Sequence, residues 1–106
     1  MPKPSARSVF AGRLRSTRTA RGLSQMRLGV LVGLSEDVAS TRINRYEQGV
    51  HTPDLETAAR MAEQLGVPLP YLFAKDERMA RAILEFARLP MEQQDAALSH
   101  ITGLQK

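Results

Sequence analysis

Residues 40–48 (STRINRYEQ) gather hydroxyl, guanidinium and carboxamide side chains in one short run. These groups make directional hydrogen bonds, often in pairs. An arginine fork can donate twice to one guanine, and an asparagine can both donate to and accept from one adenine. If the run is helical, successive residues turn by about 100°. With Ile43 facing a core, Ala39 and Tyr46 share its side. Thr41, Arg45 and Gln48 then lie opposite, Arg42 and Asn44 flank them, and Ser40 sits at the N-terminal margin. An isolated polar face of this kind is more often simply solvated. What lifts this one above that reading is its setting.

The setting is a second helix-length segment just upstream, GLSQMRLGVLVG (residues 22–33), joined by a short acidic link, LSED. Ser24 suits an N-cap, its hydroxyl serving an orphan backbone N–H, although Arg27 departs from the usual capping box. Gln25 then stands at the helix N-terminus, where amide donors and the helix dipole suit a phosphate. Leu28 and Val32 share a face. Gly29 lies mid-helix, where glycine costs about 1 kcal/mol against alanine; close approach of the neighbouring helix would explain it. Two short helices in this order, the second ending at Gly49, are what is needed to push a helix end-on into a DNA groove.

Helical spacing recurs through the rest of the chain, and no Val/Ile/Thr alternation marks a strand. Residues 7–21 put Phe10 and Leu14 on one face with Thr17 and Arg18, while Arg13, Arg15 and Arg21 point elsewhere. Residues 54–65 carry a stripe of Leu55, Ala58, Ala59, Ala62 and Leu65. Asp54 and Glu56 lie in its first turn, where they favour the helix dipole, and Gly66 reads as a C-terminal stop. Pro68 and Pro70 frame a short helix reaching Phe73. Residues 76–88 and 91–104 form two more, separated by Pro90. The expectation is an all-α protein of about seven helices.

Composition sets outer limits. The 106 residues suffice for one domain with an appendage. Cysteine is absent, which excludes disulfides and thiolate metal sites and fits a cytoplasmic location. No apolar run approaches the roughly 18 residues of a membrane span, so no membrane partner is expected. The N-terminus lacks the apolar core of a secretory signal. Net charge is +4 but uneven: residues 1–50 hold nine Lys/Arg and three Asp/Glu (9 − 3 = +6), residues 51–106 six and eight (6 − 8 = −2). A basic N-terminal half points to a polyanionic partner.

On LRSTRTARGLSQ, RINRYEQG, TPDLETAARMAEQLGVP and YLF, the sequence resembles the lambda-repressor-like helix-turn-helix family, the Cro/C1 or XRE class of bacterial and phage regulators. The resemblance spans residues 8–73, about two thirds of the chain. It implies a five-helix DNA-binding domain, here followed by two additional C-terminal helices. By resemblance, Gln25 and Gln48 contact phosphates. Ser40, Thr41 and Arg45 touch bases, with Arg42 and Asn44 beside them, and Arg18 and Glu47 form a partly buried ion pair. The wheel agrees on Glu47, which turns to within about 40° of Ile43. The organisation implied is a flexible arm (1–7), a helix-turn-helix domain (8–74) and a helical extension (75–106). Lys3 and Arg7 of the arm could follow a groove, although a frayed terminus is the plainer expectation.

Two departures stand out. The link before the second helix is longer than the family's, the extra piece falling around residues 34–38 with Glu36 and Asp37. It either adds an N-terminal turn capped by Ser35 or forms a longer loop. Because two carboxylates would be repelled by phosphates, a link angled away from the DNA backbone is favoured, the alternative being that one carboxylate accepts from a cytosine amino group. Met26, Val30 and Leu31 are apolar where the family is usually polar. The extension carries Ile83, Phe86, Leu98 and Ile101, which either pack on the domain, pair with a second copy or hold another protein.

The expected function is a sequence-specific regulator of transcription, a repressor acting as a homodimer on a palindromic double-stranded operator. Two other readings use the same domain: the antitoxin of a toxin–antitoxin pair, and an adaptor bridging proteins or RNA. Enzyme chemistry is not expected, since there is no P-loop, dinucleotide turn or nucleophile elbow. No cofactor is called for, and with His51 and His100 far apart, no metal site.

Overall fold

The structure, a computed structural model, describes residues 4–106. Six α-helices and one 3-10 helix follow one another, and among the described residues there is no strand. Helix α1 (Ala6–Ala20) starts from Ser5, whose hydroxyl accepts the Ser8 N–H. The helix therefore begins inside the segment expected as a flexible arm, and Arg7 belongs to its first turn. The expectation for Lys3 lies outside the described residues. Helices α2 (Gln25–Leu31) and α3 (Glu36–Glu47) follow, then α4 (Leu55–Leu65), the 3-10 helix (Leu69–Phe73), α5 (Glu77–Arg88) and α6 (Met91–Leu104).

The core draws on every element up to the 3-10 helix. Phe10, Leu14, Leu28, Ile43, Met61, Leu65 and Leu72 are almost wholly buried, each removal from water contributing roughly 1.5–3 kcal/mol. Phe10 and Phe73 stack with ring centroids 5.1 Å apart, which docks the 3-10 helix on α1. In α4 the buried residues are Ala58, Met61, Ala62 and Leu65. Leu55 and Ala59, expected on that stripe, are exposed. Leu55 precedes the stripe by one turn at the solvent-facing helix start, and Ala59 is rotated off it, while Met61 takes the central place.

Arg13 is another difference. Far from pointing away, it is largely covered and stitches α1 to the start of the extension. Its Nε donates to the Ala74 carbonyl at 2.6 Å, its Nη2 meets Glu77 Oε1 at 3.1 Å, and its guanidinium lies 5.1 Å from the Tyr71 ring centroid. Beyond this anchor burial falls away. In α5 only Ala80 is buried, with Ile83 and Phe86 half-covered, and no α6 residue is buried. Helix α6 packs chiefly on α5, where Gln94 Nε2 donates to the Phe86 carbonyl at 3.0 Å. Leu98 and Ile101 stay about half exposed. The molecule is elongated, 53 × 36 × 22 Å. No described helix is long and apolar enough to cross a membrane.

Candidate nucleic-acid interface

Helices α2 and α3 are the most closely packed pair in the molecule. Ser24 caps α2, accepting the Arg27 N–H at 2.9 Å. Gly29, in the middle of α2, lets Ala39 of α3 come against its bare backbone. The turn leaves α2 through Gly33 at φ 99°, a left-handed conformation that glycine adopts without steric cost. The Leu34 N–H closes it on the Gly29 carbonyl at 2.9 Å.

Of the two forms expected for the acidic link, the added helical turn is the one present and the longer loop is not. The link is the first turn of α3, with Ser35 at the cap position. The physical reason is local. Glu36 and Asp37 complement the positive helix end, and the Ser35 hydroxyl donates to Asp37 Oδ1 at 2.6 Å. That bond, with one from the Asp37 backbone, holds the carboxyl below its ordinary pKa. Helix α3 is longer at its front, and Ser40 and Thr41 lie in its second turn.

A polar network fixes α3 against α1 and α2. Arg18 Nε donates to Glu47 Oε2 at 2.5 Å and Nη2 to Oε1 at 3.0 Å, while Nη1 donates to the Leu23 carbonyl at 2.7 Å. The Glu47 side chain is only 1% exposed and that of Arg18 14%. The hydrogen bond to Glu47 raises the Arg18 pKa above its ordinary value. Gln25 extends the network: its Nε2 donates to Glu47 Oε1 and Asn44 Oδ1, both at 3.1 Å, and its Oε1 accepts from Ser40 Oγ at 3.4 Å.

The polar residues of α3 therefore divide into two sets. Ser40 and Asn44 are bonded to Gln25, although the Asn44 amide hydrogens stay free to donate. Thr41, Arg42, Arg45 and Gln48 are exposed, and among the described residues their side chains have no hydrogen-bond partner. Free guanidiniums on a helix held rigidly from behind suit directional bonding to an external surface.

Sequence reasoning undervalued the loop after α3. The Val50 and His51 N–H groups both turn back to the Arg45 carbonyl, at 3.0 and 3.3 Å. This folds His51 and Thr52 against Arg42, Arg45 and Tyr46 around a polar recess of about 300 Å³. Two guanidiniums, an imidazole and a hydroxyl around one hollow suit a phosphate. The only sequence signal was Gly49, which permits the return turn. Met26 is exposed, and Val30 and Leu31 are half-covered. Among the described residues no group of acidic, His or Cys side chains could hold a metal ion.

The sequence model of the helix-turn-helix domain matches residues 9–71. The chain belongs to this family. Within it, the chain falls among the lambda-repressor-like regulators of the XRE class. It is 33% identical over 64 residues to the SPbeta prophage-derived uncharacterized HTH-type transcriptional regulator YonR of Bacillus subtilis (strain 168). That match spans 60% of this chain and 56% of the relative. The fold is similar to the crystal structure of the transcriptional regulator BswR, with a TM-score of 0.81 and 35% identity over 88% of this chain and 92% of that one. This second likeness extends beyond the helix-turn-helix domain into the α5–α6 extension.

Proposed function

We propose that this helix-turn-helix protein is a sequence-specific double-stranded DNA-binding regulator of transcription, a repressor working as a homodimer on a palindromic operator. One observation carries the reading: α3 is clamped from behind by Gln25, Arg18 and Glu47, while Thr41, Arg42, Arg45 and Gln48 face outward unpartnered. In this reading Arg45 reads a guanine and Asn44 an adenine, with Ser40, Thr41 and Arg42 completing the base contacts. Gln48 bonds a phosphate through its side chain and Gln25 through its backbone N–H at the start of α2, its side-chain N–H groups being committed to Glu47 and Asn44. The recess of Arg42, His51 and Thr52 takes another beside the bases that are read.

A single reading helix contacts too few base pairs for genomic specificity, and two helices about 34 Å apart read a palindrome. Support for a dimer comes from the extension, where Phe86 and Ile101 line one apolar groove with Ala82, Leu89 and Ala97. Ile83 and Leu98 lie on the same two helices, so a second copy would bury what this one leaves in water. The reading places the protein with the genome, in the cytoplasm.

Selection of bound fragments from sheared genomic DNA tests it. A shared palindrome with half-sites one helical turn apart is expected. Recovery of all fragments in proportion to length would reject sequence-specific reading.

A further inference from the structure

A second groove shares Arg88 with the α5–α6 groove. Its walls are Thr17 of α1, Arg21 just past the end of α1, Val67 of the α4 connection, Tyr71 of the 3-10 helix, and Leu84 and Arg88 of α5, enclosing about 500 Å³. That is within the range of small-molecule sites. Its floor is apolar, through Val67, Leu84 and the Tyr71 ring. Two arginines, Arg21 and Arg88, line it, and no lining residue is acidic. Neither arginine is in an ion pair with a described residue. Arg21 lies over Gly66 instead, its Nη2 3.3 Å from where a Cβ would stand.

Thr17 supplies an independent pointer. It is 8% exposed, and its hydroxyl oxygen is buried without a hydrogen-bond partner among the described residues. A buried hydroxyl left unpaired is costly and uncommon in a folded protein. In the wall of a groove with two free guanidiniums, it is a donor waiting for an acceptor.

We propose that this groove binds an amphipathic organic carboxylate. The carboxylate is held between Arg88 and Arg21 with the Thr17 hydroxyl, and the apolar tail lies on Val67, Leu84 and Tyr71. Such a ligand would bridge α1 to α5 across the junction that Arg13 also spans. Arg88 also borders the apolar α5–α6 groove. Occupancy therefore fixes the angle between the reading head and the extension, which makes the carboxylate an effector of operator binding. That regulatory consequence rests on the operator-binding dimer proposed above; the ligand site does not.

Calorimetric titration of the full chain with sodium octanoate tests the site, with 1-octanol as the neutral counterpart. Saturable binding at one octanoate per chain is expected, with octanol weaker by about tenfold or more, because a charge-assisted arginine contact is lost. Arg88→Ala, on an exposed helical position, should weaken octanoate by a similar factor. Thr17→Val should weaken it a few-fold without lowering the thermal midpoint, since the hydroxyl has no partner to lose. Absence of saturable binding, or binding unchanged by Arg88→Ala, would overturn the site. Operator affinity measured with and without saturating octanoate tests the coupling, and an unchanged affinity overturns it. A chain that binds octanoate through Arg88 but selects no operator leaves the ligand site standing and removes the operator reading.

Discussion

Ala39 of α3 sits where a side chain on Gly29 of α2 would have to go: a Cβ at residue 29 would stand 2.6 Å from the Ala39 Cβ and 2.9 Å from its Cα. The two helices thus meet backbone to side chain, and this contact sets how far α3 stands out from the body. Gly29→Ala gains up to about 1 kcal/mol of helix propensity. It must also push two packed helices apart, which costs roughly 1–3 kcal/mol. A net loss of stability is expected in urea unfolding. DNA affinity should fall further than stability explains, because α3 is displaced.

The Arg18–Glu47 pair holds the other end of α3. With the carboxylate buried, Glu47→Ala leaves a covered guanidinium without its counter-charge, at a cost of about 3–5 kcal/mol. Replacing both residues with apolar side chains of similar volume should recover most of that loss. A double-mutant cycle by chemical denaturation reads the coupling directly. The Leu23 carbonyl, which also accepts from Arg18, loses that donor in the double variant.

Acid sensitivity follows from two helix starts. The Thr57 N–H lowers the Asp54 pKa and the Ser35 hydroxyl lowers that of Asp37. A carboxyl depressed in the folded state contributes stability above its unfolded value, about 3.9. That contribution disappears as pH falls through the lower folded value. Asp54→Asn keeps a capping oxygen but cannot titrate. Its thermal midpoint should match the wild type near its acid limit and fall less steeply on acidification below pH of about 5.

Much of this arrangement was readable in advance because it depends on local chemistry. Ser24, Asp54 and Gly66 mark helix ends by type alone, and the period of Phe10, Leu14 and Thr17 is helical wherever the segment packs. Gly29 in mid-helix announced a close neighbour. The front of α3 was less legible. The acidic link left an added helical turn and a longer loop both open, and the dipole and the Ser35 bond, acting within the chain itself, make helix. The anchoring role of Arg13 and the recess beside His51 were less legible for a different reason. The partners of these two residues, Ala74 and Glu77 for one and the Arg42–Arg45 recess for the other, are brought together by tertiary packing that no local pattern records.

The extension yields a prediction of its own. Leu98 and Ile101 are about half exposed on a helix with no buried residue. Leu98→Asp together with Ile101→Asp should leave the helical content and the α1–α4 core intact while halving the sedimentation mass. A wild-type mass of one chain at micromolar concentration would contradict the dimer.

The most direct test of the central claim is the specificity ratio of Arg45. Affinities for the selected palindrome and for a scrambled duplex are measured at one fixed salt concentration, for wild type and Arg45→Ala. Loss of a bidentate guanine contact should cost about 1–3 kcal/mol per half-site on the palindrome. The scrambled duplex, bound through phosphates alone, should lose much less, so the ratio collapses toward one. Equal losses on both duplexes, with the ratio unchanged, would mean that Arg45 contributes only charge and that α3 does not read bases through it.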